Sequence, residues 1–174
     1  MVIDSSSQTG ERFSDDWRPN MVANLVFIVD EAKQQVLLIH KKTGLGKGKI
    51  NGPGGKLETG ETAIEAGIRE VQEELLITPH DLEEMGVLHF QFVDGLALHC
   101  TVFRSFSFEG VPTETREAKP EWFHFDHIPY DQMWADDQYW LPEMLQGKKF
   151  DAWFKFDNES MVSHLVEWRS ESAS

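Results

Sequence analysis

At 174 residues and 20.0 kDa the chain has the length of one domain. Its 40% hydrophobic content is enough to bury a core and too high for a disordered chain. Sixteen basic against 30 acidic side chains leave a formal charge of −14, which argues against binding to a nucleic-acid polymer or an anionic membrane by charge.

A lone cysteine, Cys100, rules out an intrachain disulfide and a cysteine-based zinc site. The longest early apolar stretch, Met21 to Val29, holds Asn24 and falls far short of the ~20 residues of a membrane span. Residues 1–7 lack the basic start and apolar middle of a secretory signal, so a cytoplasmic protein is expected. Residues 1–20 are polar and read as a loose extension, with Trp17 the one side chain suited to dock on the body formed by residues 21–174.

Val22 to Val29 reads as a buried strand, Asp30-Glu31 as a turn, and Val36 to Ile39 as a second strand. Two glycine-rich stretches follow, Gly44 to Gly48 and Gly52-Pro53-Gly54-Gly55. The clearest helix spans Thr62–Leu76. Thr62 and Glu65 form a capping box, Ile64, Ile68, Val71 and Leu75 recur as an apolar stripe, and Pro79 bars continuation. Strands are expected at Gly86–Val93, Ala97–Phe108 and Trp122–Phe125, and a shorter helix in Asp136–Gln146 that Pro142 kinks or leaves irregular in its first turn. The strands Phe150–Phe156 and Met161–Trp168 flank the turn Asp157-Asn158-Glu159-Ser160. Strands on both sides of a helix with mixed connections make an α/β sandwich.

Chemistry concentrates on the polar side of the first helix. At ~100° per residue Glu70, Glu73 and Glu74 share a face turned away from the apolar stripe. A Glu-Glu pair is ordinarily a solvated surface, and like charges one turn apart cost ~0.2–0.5 kcal/mol per pair. Here the context argues for more. Between Ala32 and Leu57 stand six lysines and no acid; between Glu58 and Glu84 stand nine acids and one arginine, Arg69. Lysines beside gathered carboxylates suit a polyphosphate with a hard divalent cation, which takes oxygen ligands. The stretch Gly52 to Leu57 lacks the Ser/Thr that a P-loop places after its lysine, and the seven histidines are scattered. Trp153, Phe154, Phe156 and Trp168 read as core and pocket wall.

Gly55, five residues, Glu61, seven residues, and then Arg69-Glu70-Val71-Gln72-Glu73-Glu74-Leu75-Leu76-Ile77 resemble the Nudix box. The resemblance implies a Nudix-type α/β/α sandwich with a mixed sheet. It also implies hydrolysis of a nucleoside diphosphate linked to another group, with Mg²⁺ or Mn²⁺. It makes Glu70, Glu73 and Glu74 metal ligands, with the Gly55 carbonyl an additional candidate, and Glu61 and Arg69 the groups that orient them. Glu74 is the first candidate to take the proton of the attacking water and Glu117, in the acidic stretch Glu114–Glu121, the second. Leu76 stands where the box has its second glycine; a leucine costs ~1–2 kcal/mol in a left-handed turn. An altered loop is expected there.

Residues Lys41 to Phe156 further resemble the branch of the family that clears oxidised purine nucleoside triphosphates, releasing a nucleoside monophosphate and pyrophosphate. That likeness makes Lys41, Asn51, Trp134, Asp136 and Asp137 the substrate contacts. Trp134 offers a flat apolar face and Asn51 both a donor and an acceptor, and two adjacent carboxyls in a dry pocket resist double ionisation. Capping of the helix start is the competing role for the two aspartates. Leu45 and Ile50 replace aromatic residues of that branch, which bears on base preference. The partner expected is a small-molecule nucleotide. Other readings are a dinucleoside polyphosphate or capped RNA as substrate, or a nucleotide-binding regulator without turnover.

Overall fold

The computed structural model describes residues 8–170. In chain order its strands and helices are β1 (Gln8–Thr9), β2 (Met21–Asp30), β3 (Gln35–Lys41), β4 (Ile50–Asn51), α1 (Ala63–Leu75), β5 (Thr78–His80), β6 (Glu83–Phe92), β7 (Ala97–Ser105), β8 (Ser107–Glu109), β9 (Ala118–His124), α2 (Asp137–Leu145), β10 (Phe150–Asp157) and β11 (Ser160–Trp168). A mixed sheet runs β1-β11-β10-β6-β7-β2-β3-β4, with β9 antiparallel on β3 and a separate β5–β8 pair.

Both faces of the central strands are buried, as a continuous apolar run requires. Val26, Ile28, Leu37 and Ile39 join the core under α1, while Phe27, Val29, Val36 and Leu38 join the larger core that includes Trp140, Leu141 and Met144 of α2. The architecture is α/β/α.

The seam that makes the site lies between β2 and β3. They pair only at Ile28↔Leu37, Val29↔Val36 and Asp30↔Gln35, after which β4 takes over the same edge of β3 at Ile39↔Asn51 and His40↔Ile50. The wedge left open is filled by the second glycine stretch. Val26 N–H donates to Pro53 O (2.7 Å), Asn24 N–H to Gly55 O (3.0 Å), and Leu57 N–H to Val22 O (3.1 Å). A side chain at Gly54 would run into the Asn24 backbone, and its φ of 153° lies where L-residues are strained.

Several expectations change. The α1 capping box forms, but the helix packs through the small residues Ala66 and Gly67 with Val71 and Leu75, which turns Ile64 outward, 46% exposed. The expected Ala97–Phe108 strand breaks at Phe106, whose side chain is exposed, so that β8 can pair with β5. β9 starts at Ala118, inside the stretch expected to be an acidic loop, because its whole length finds the free edge of β3. Leu76 keeps the left-handed turn of its position: it caps α1 at φ 59°, ψ 32°, donating its N–H to Gln72 O at 3.0 Å. Its side chain is 59% exposed, so solvent rather than packing surrounds the strained residue.

Residues 1–7 lie outside the described residues, but residues 8–20 are not loose. β1 pairs with β11, Arg12 pairs with Glu167 and stands over Trp153 (5.4 Å), and Trp17 packs on Phe13 and His89 while its indole N–H donates to Gln91 Oε1 at 2.8 Å. Trp153 therefore serves this outer region, while Trp168, 36% exposed, packs on the core residue Phe150; of the four aromatics read as core and pocket wall, only Phe154 and Phe156 are fully buried.

Candidate active site

Arg69 organises the first part of the site. Its guanidinium holds Glu61 in a two-pronged pair (Nε–Oε2 2.7 Å, Nη2–Oε1 3.0 Å), donates to Lys56 O (3.1 Å), and reaches Glu70 (3.0 Å) and Glu73 (3.2 Å) through Nη1. Glu61 in turn accepts Glu58 N–H at 2.8 Å. One planar fork thus ties α1 to the loop before it, a task suited to arginine and not to lysine. The Arg69 hydrogen bond holds Glu61 below the usual carboxylate range, and Glu61 above all keeps Arg69 charged.

Glu74 is almost fully buried and accepts Gly54 N–H at 3.0 Å. Burial pushes its carboxyl up to about 8, and the charges of Glu70 and Glu117 add to this. Glu70, half-buried, is also raised, by burial first, against the opposing pull of Arg69. A methyl at Gly55 would lie 2.5 Å from the Glu70 carboxyl carbon, so a side chain there would displace this acid from its present position. Glu70, Glu74 and Glu117 line one cavity with Gly54, Gly55, Lys41 and Lys56. Glu73 does not line it. The third acid of the expected set lies against Arg69 at the rim, and among the described residues no three acidic, histidine or cysteine side chains stand in a ligating array.

The same cavity, about 250 Å³, continues between β2, β6, β7 and the start of α2. Its walls there include Asn51, Trp134, Asp136, Asp137, Phe90, Phe92 and Leu98, with Leu45 exposed beside them. Asn51 Oδ1 accepts Gly52 N–H at 2.8 Å. Trp134 stands at right angles to Phe92 (6.0 Å) and Phe156 (5.5 Å).

Both aspartates are buried, and capping does not explain them. Asp136 makes no side-chain cap bond; its Oδ2 accepts the indole N–H of Trp140 at 2.9 Å. Oδ1 of Asp136 and Oδ2 of Asp137 are buried without a partner, a costly state for any polar atom. Burial pushes Asp136 up to about 6 against the Trp140 hydrogen bond, and pushes Asp137 well above its ordinary range, with the neighbouring charge of Asp136 adding to the effect. The α2 start is irregular, as expected from Pro142: Asp137 N–H and Tyr139 N–H bond three residues back, to Trp134 O and Asp136 O.

Residues 19–144 match the NUDIX domain. The chain belongs to the Nudix family. It is 44% identical over 145 residues to an oxidized purine nucleoside triphosphate hydrolase of Danio rerio, covering 82% of this chain and 92% of that one. A protein of the same description from Mus musculus is 41% identical, covering 76% and 86%. The fold is that of the mutator MutT protein from Bacillus halodurans, with a TM-score of 0.75 at 26% identity over 84% of this chain and 97% of that one.

Of the residues named from the sequence, the structure brings Glu70, Glu74, Glu117, Gly55, Lys41, Asn51, Trp134, Asp136 and Asp137 onto one cavity, with Glu61 and Arg69 behind it and Glu73 outside it. Sequence reasoning missed the apolar walls Phe90, Phe92, Leu98 and Cys100, because a pocket strand and a core strand carry the same residues. It also passed over Asn24, almost fully buried on the cavity wall with both amide atoms unpartnered. A polar residue inside the apolar run Met21–Val29 was the available signal.

Proposed function

We propose that the protein hydrolyses purine nucleoside triphosphates, oxidised ones foremost, to the nucleoside monophosphate and pyrophosphate, and so clears damaged precursors from a cytoplasmic nucleotide pool. The observation that carries this reading is the buried Asp136–Asp137 pair, with unpartnered oxygens, on the same cavity as Trp134, Asn51 and the Glu70/Glu74/Glu117 carboxylates. The relatives named for oxidised purine nucleoside triphosphates support it.

The donors fit a hard divalent cation: they are all oxygen, and burial raises the Glu70 and Glu74 carboxyls, a cost that a cation beside them would offset. Glu70 and Glu74, with the Gly55 carbonyl, would hold Mg²⁺, and Glu73, which lies against Arg69 outside the cavity, would join them on releasing that contact. When bound, the ion supplies Lewis-acid polarisation of the phosphates and a more acidic water. Lys41 and Lys56, on the cavity wall, hold phosphate charge. Glu74 accepts the water proton, with Glu117 on the same wall as the second acceptor. Trp134 stacks on the purine, and Asn51 reads its edge. The aspartate pair, holding one proton between them near neutral pH, offers one donor and one acceptor to a base edge.

Pyrophosphate and monophosphate release should be compared across 8-oxo-dGTP, 2-hydroxy-dATP and the normal dNTPs in Mg²⁺. Preference for the oxidised purines is expected. Turnover confined to dinucleoside polyphosphates or capped RNA would overturn the substrate, and binding without turnover would overturn the enzyme.

A further inference from the structure

We propose that Lys49 is a positioning and specificity-determining residue of the base pocket, backing Trp134 with positive charge so that the pocket favours neutral purines over cationic, N7-alkylated ones. The inference deepens the substrate reading above and rests on it. Sequence alone counts Lys49 among the phosphate-attracting lysines; the structure puts it elsewhere. Its ammonium stands over the Trp134 ring, 5.2 Å from the centroid, and 3.5 Å from Glu159 Oε1. The side chain is only 21% exposed. Trp134 lines the cavity and Lys49 does not, so the ammonium over the indole stands outside the lining of the substrate space.

Its backbone is fixed as well. Lys49 N–H donates to Gly46 O (2.9 Å) and its carbonyl accepts Lys41 N–H (3.0 Å), two residues before Asn51. Glu159 comes from the turn between β10 and β11, and Phe156 of β10 meets the same indole. The β10–β11 region thus meets the pair twice, through Glu159 at the ammonium and Phe156 at the indole.

A cation over one face of an indole draws on the π density that the other face offers. A neutral purine stacked in front still gains dispersion and apolar contact. A ring bearing positive charge, such as 7-methylguanine, meets a depleted π face and like-charge repulsion through the indole.

Nucleoside monophosphates isolate this effect, since they lack the pyrophosphate that the carboxylate side of the cavity would bind. Binding of 8-oxo-dGMP and 7-methyl-GMP is measured by calorimetry at mildly acidic pH, where the methylated ring keeps its charge. The proteins are the wild type, Lys49→Met and Lys49→Arg, with circular dichroism and Tm as fold controls. Lys49→Met should weaken 8-oxo-dGMP and narrow the preference over 7-methyl-GMP by roughly three- to tenfold. Lys49→Arg, which keeps both the charge and the stack, should restore it. With triphosphates, the Met variant should raise KM for 8-oxo-dGTP with kcat within twofold. A preference ratio unchanged in Lys49→Met, or an arginine variant that behaves like the methionine one, overturns the proposal. Lys49→Gln substitutes in the same test if the methionine variant does not fold. Failure of the wild type to prefer 8-oxo-dGMP over dGMP would instead overturn the base-pocket reading itself.

Discussion

The indole N–H of Trp140 donates to the buried Asp136 carboxylate, and Trp140→Phe removes that bond while keeping a ring. Trp140 is fully buried, stacked on Phe150 at 5.2 Å and edge-on to Phe27 at 5.7 Å, so a phenyl ring retains most of the packing. Stripping a buried acceptor of its donor costs ~1–3 kcal/mol, and the void from the smaller ring adds roughly 1 kcal/mol. The sum of about 2–4 kcal/mol corresponds to a fall in Tm of roughly 5–15 °C for a domain of this size.

The pH dependence separates the two parts. Asp136 is raised to about 6, so the folded protein holds a proton that the unfolded chain has lost between the ordinary carboxylate range and pH 6. Stability from this group is therefore full at low pH and declines as pH rises through that window. The N–H favours the charged carboxylate, and without it the midpoint should move up by about one unit. The gap in Tm between wild type and Trp140→Phe should accordingly be smaller at pH 5 than at pH 8, and the pH profile of KM for 8-oxo-dGTP should shift upward. In an Asp136→Asn background the same substitution should cost a smaller, pH-independent amount, which a double-mutant cycle reads directly. An equal Tm gap at both pH values with an unmoved KM profile would show that the indole N–H does not govern the ionisation of Asp136.

Glu74→Gln and Glu73→Gln should lower turnover on any accepted triphosphate by about two to three orders of magnitude while circular dichroism stays unchanged; Glu117→Gln should cost less. Above pH 8 Glu74→Gln should also melt no lower than the wild type without metal, because it removes the penalty of ionising a buried carboxyl. Leu76→Gly should stabilise the protein by roughly 1 kcal/mol, since the left-handed cap is strained for leucine and its exposed side chain has little packing to lose; a destabilised variant in a denaturant melt would contradict the strain. Trp17→Ala should cost about 2 kcal/mol through lost burial and the Gln91 bond, and a change under 0.5 kcal/mol would mean that residues 8–20 contribute little to the fold.

What could be read in advance was whatever is encoded locally. The Thr62–Glu65 box, the helix it starts, the glutamate face and the Asn158 hairpin all follow from residues within a few positions of one another. What escaped depends on partners far along the chain. Ile64 fits the helical stripe as well as Val71 does, and only the close approach of Ala66 and Gly67 to the sheet decides which is buried. The extent of β9 depends on β3 having a free edge some eighty residues earlier in the chain. Lys49 could not be told from its loop neighbours, because Trp134 and Glu159 lie in other segments.

The position of the cavity follows from the same long-range geometry. Where β2 and β3 part, each strand has backbone groups that a continued ladder would have satisfied, and buried groups of that kind need partners. The glycine loop supplies them to β2 through Pro53 O and Gly55 O, while β4 serves β3. Because the inserted loop lies between the strands, it meets both faces of the sheet at once. Gly54 N–H holds Glu74 from the α1 side, and Asn51 at the end of β4 and Gly52 at the start of the loop border the pocket that α2 closes with Trp134, Asp136 and Asp137. A substrate that needs charged groups for one part and a dry aromatic slot for another finds both at this seam. The paired sheet on either side offers only one face at a time.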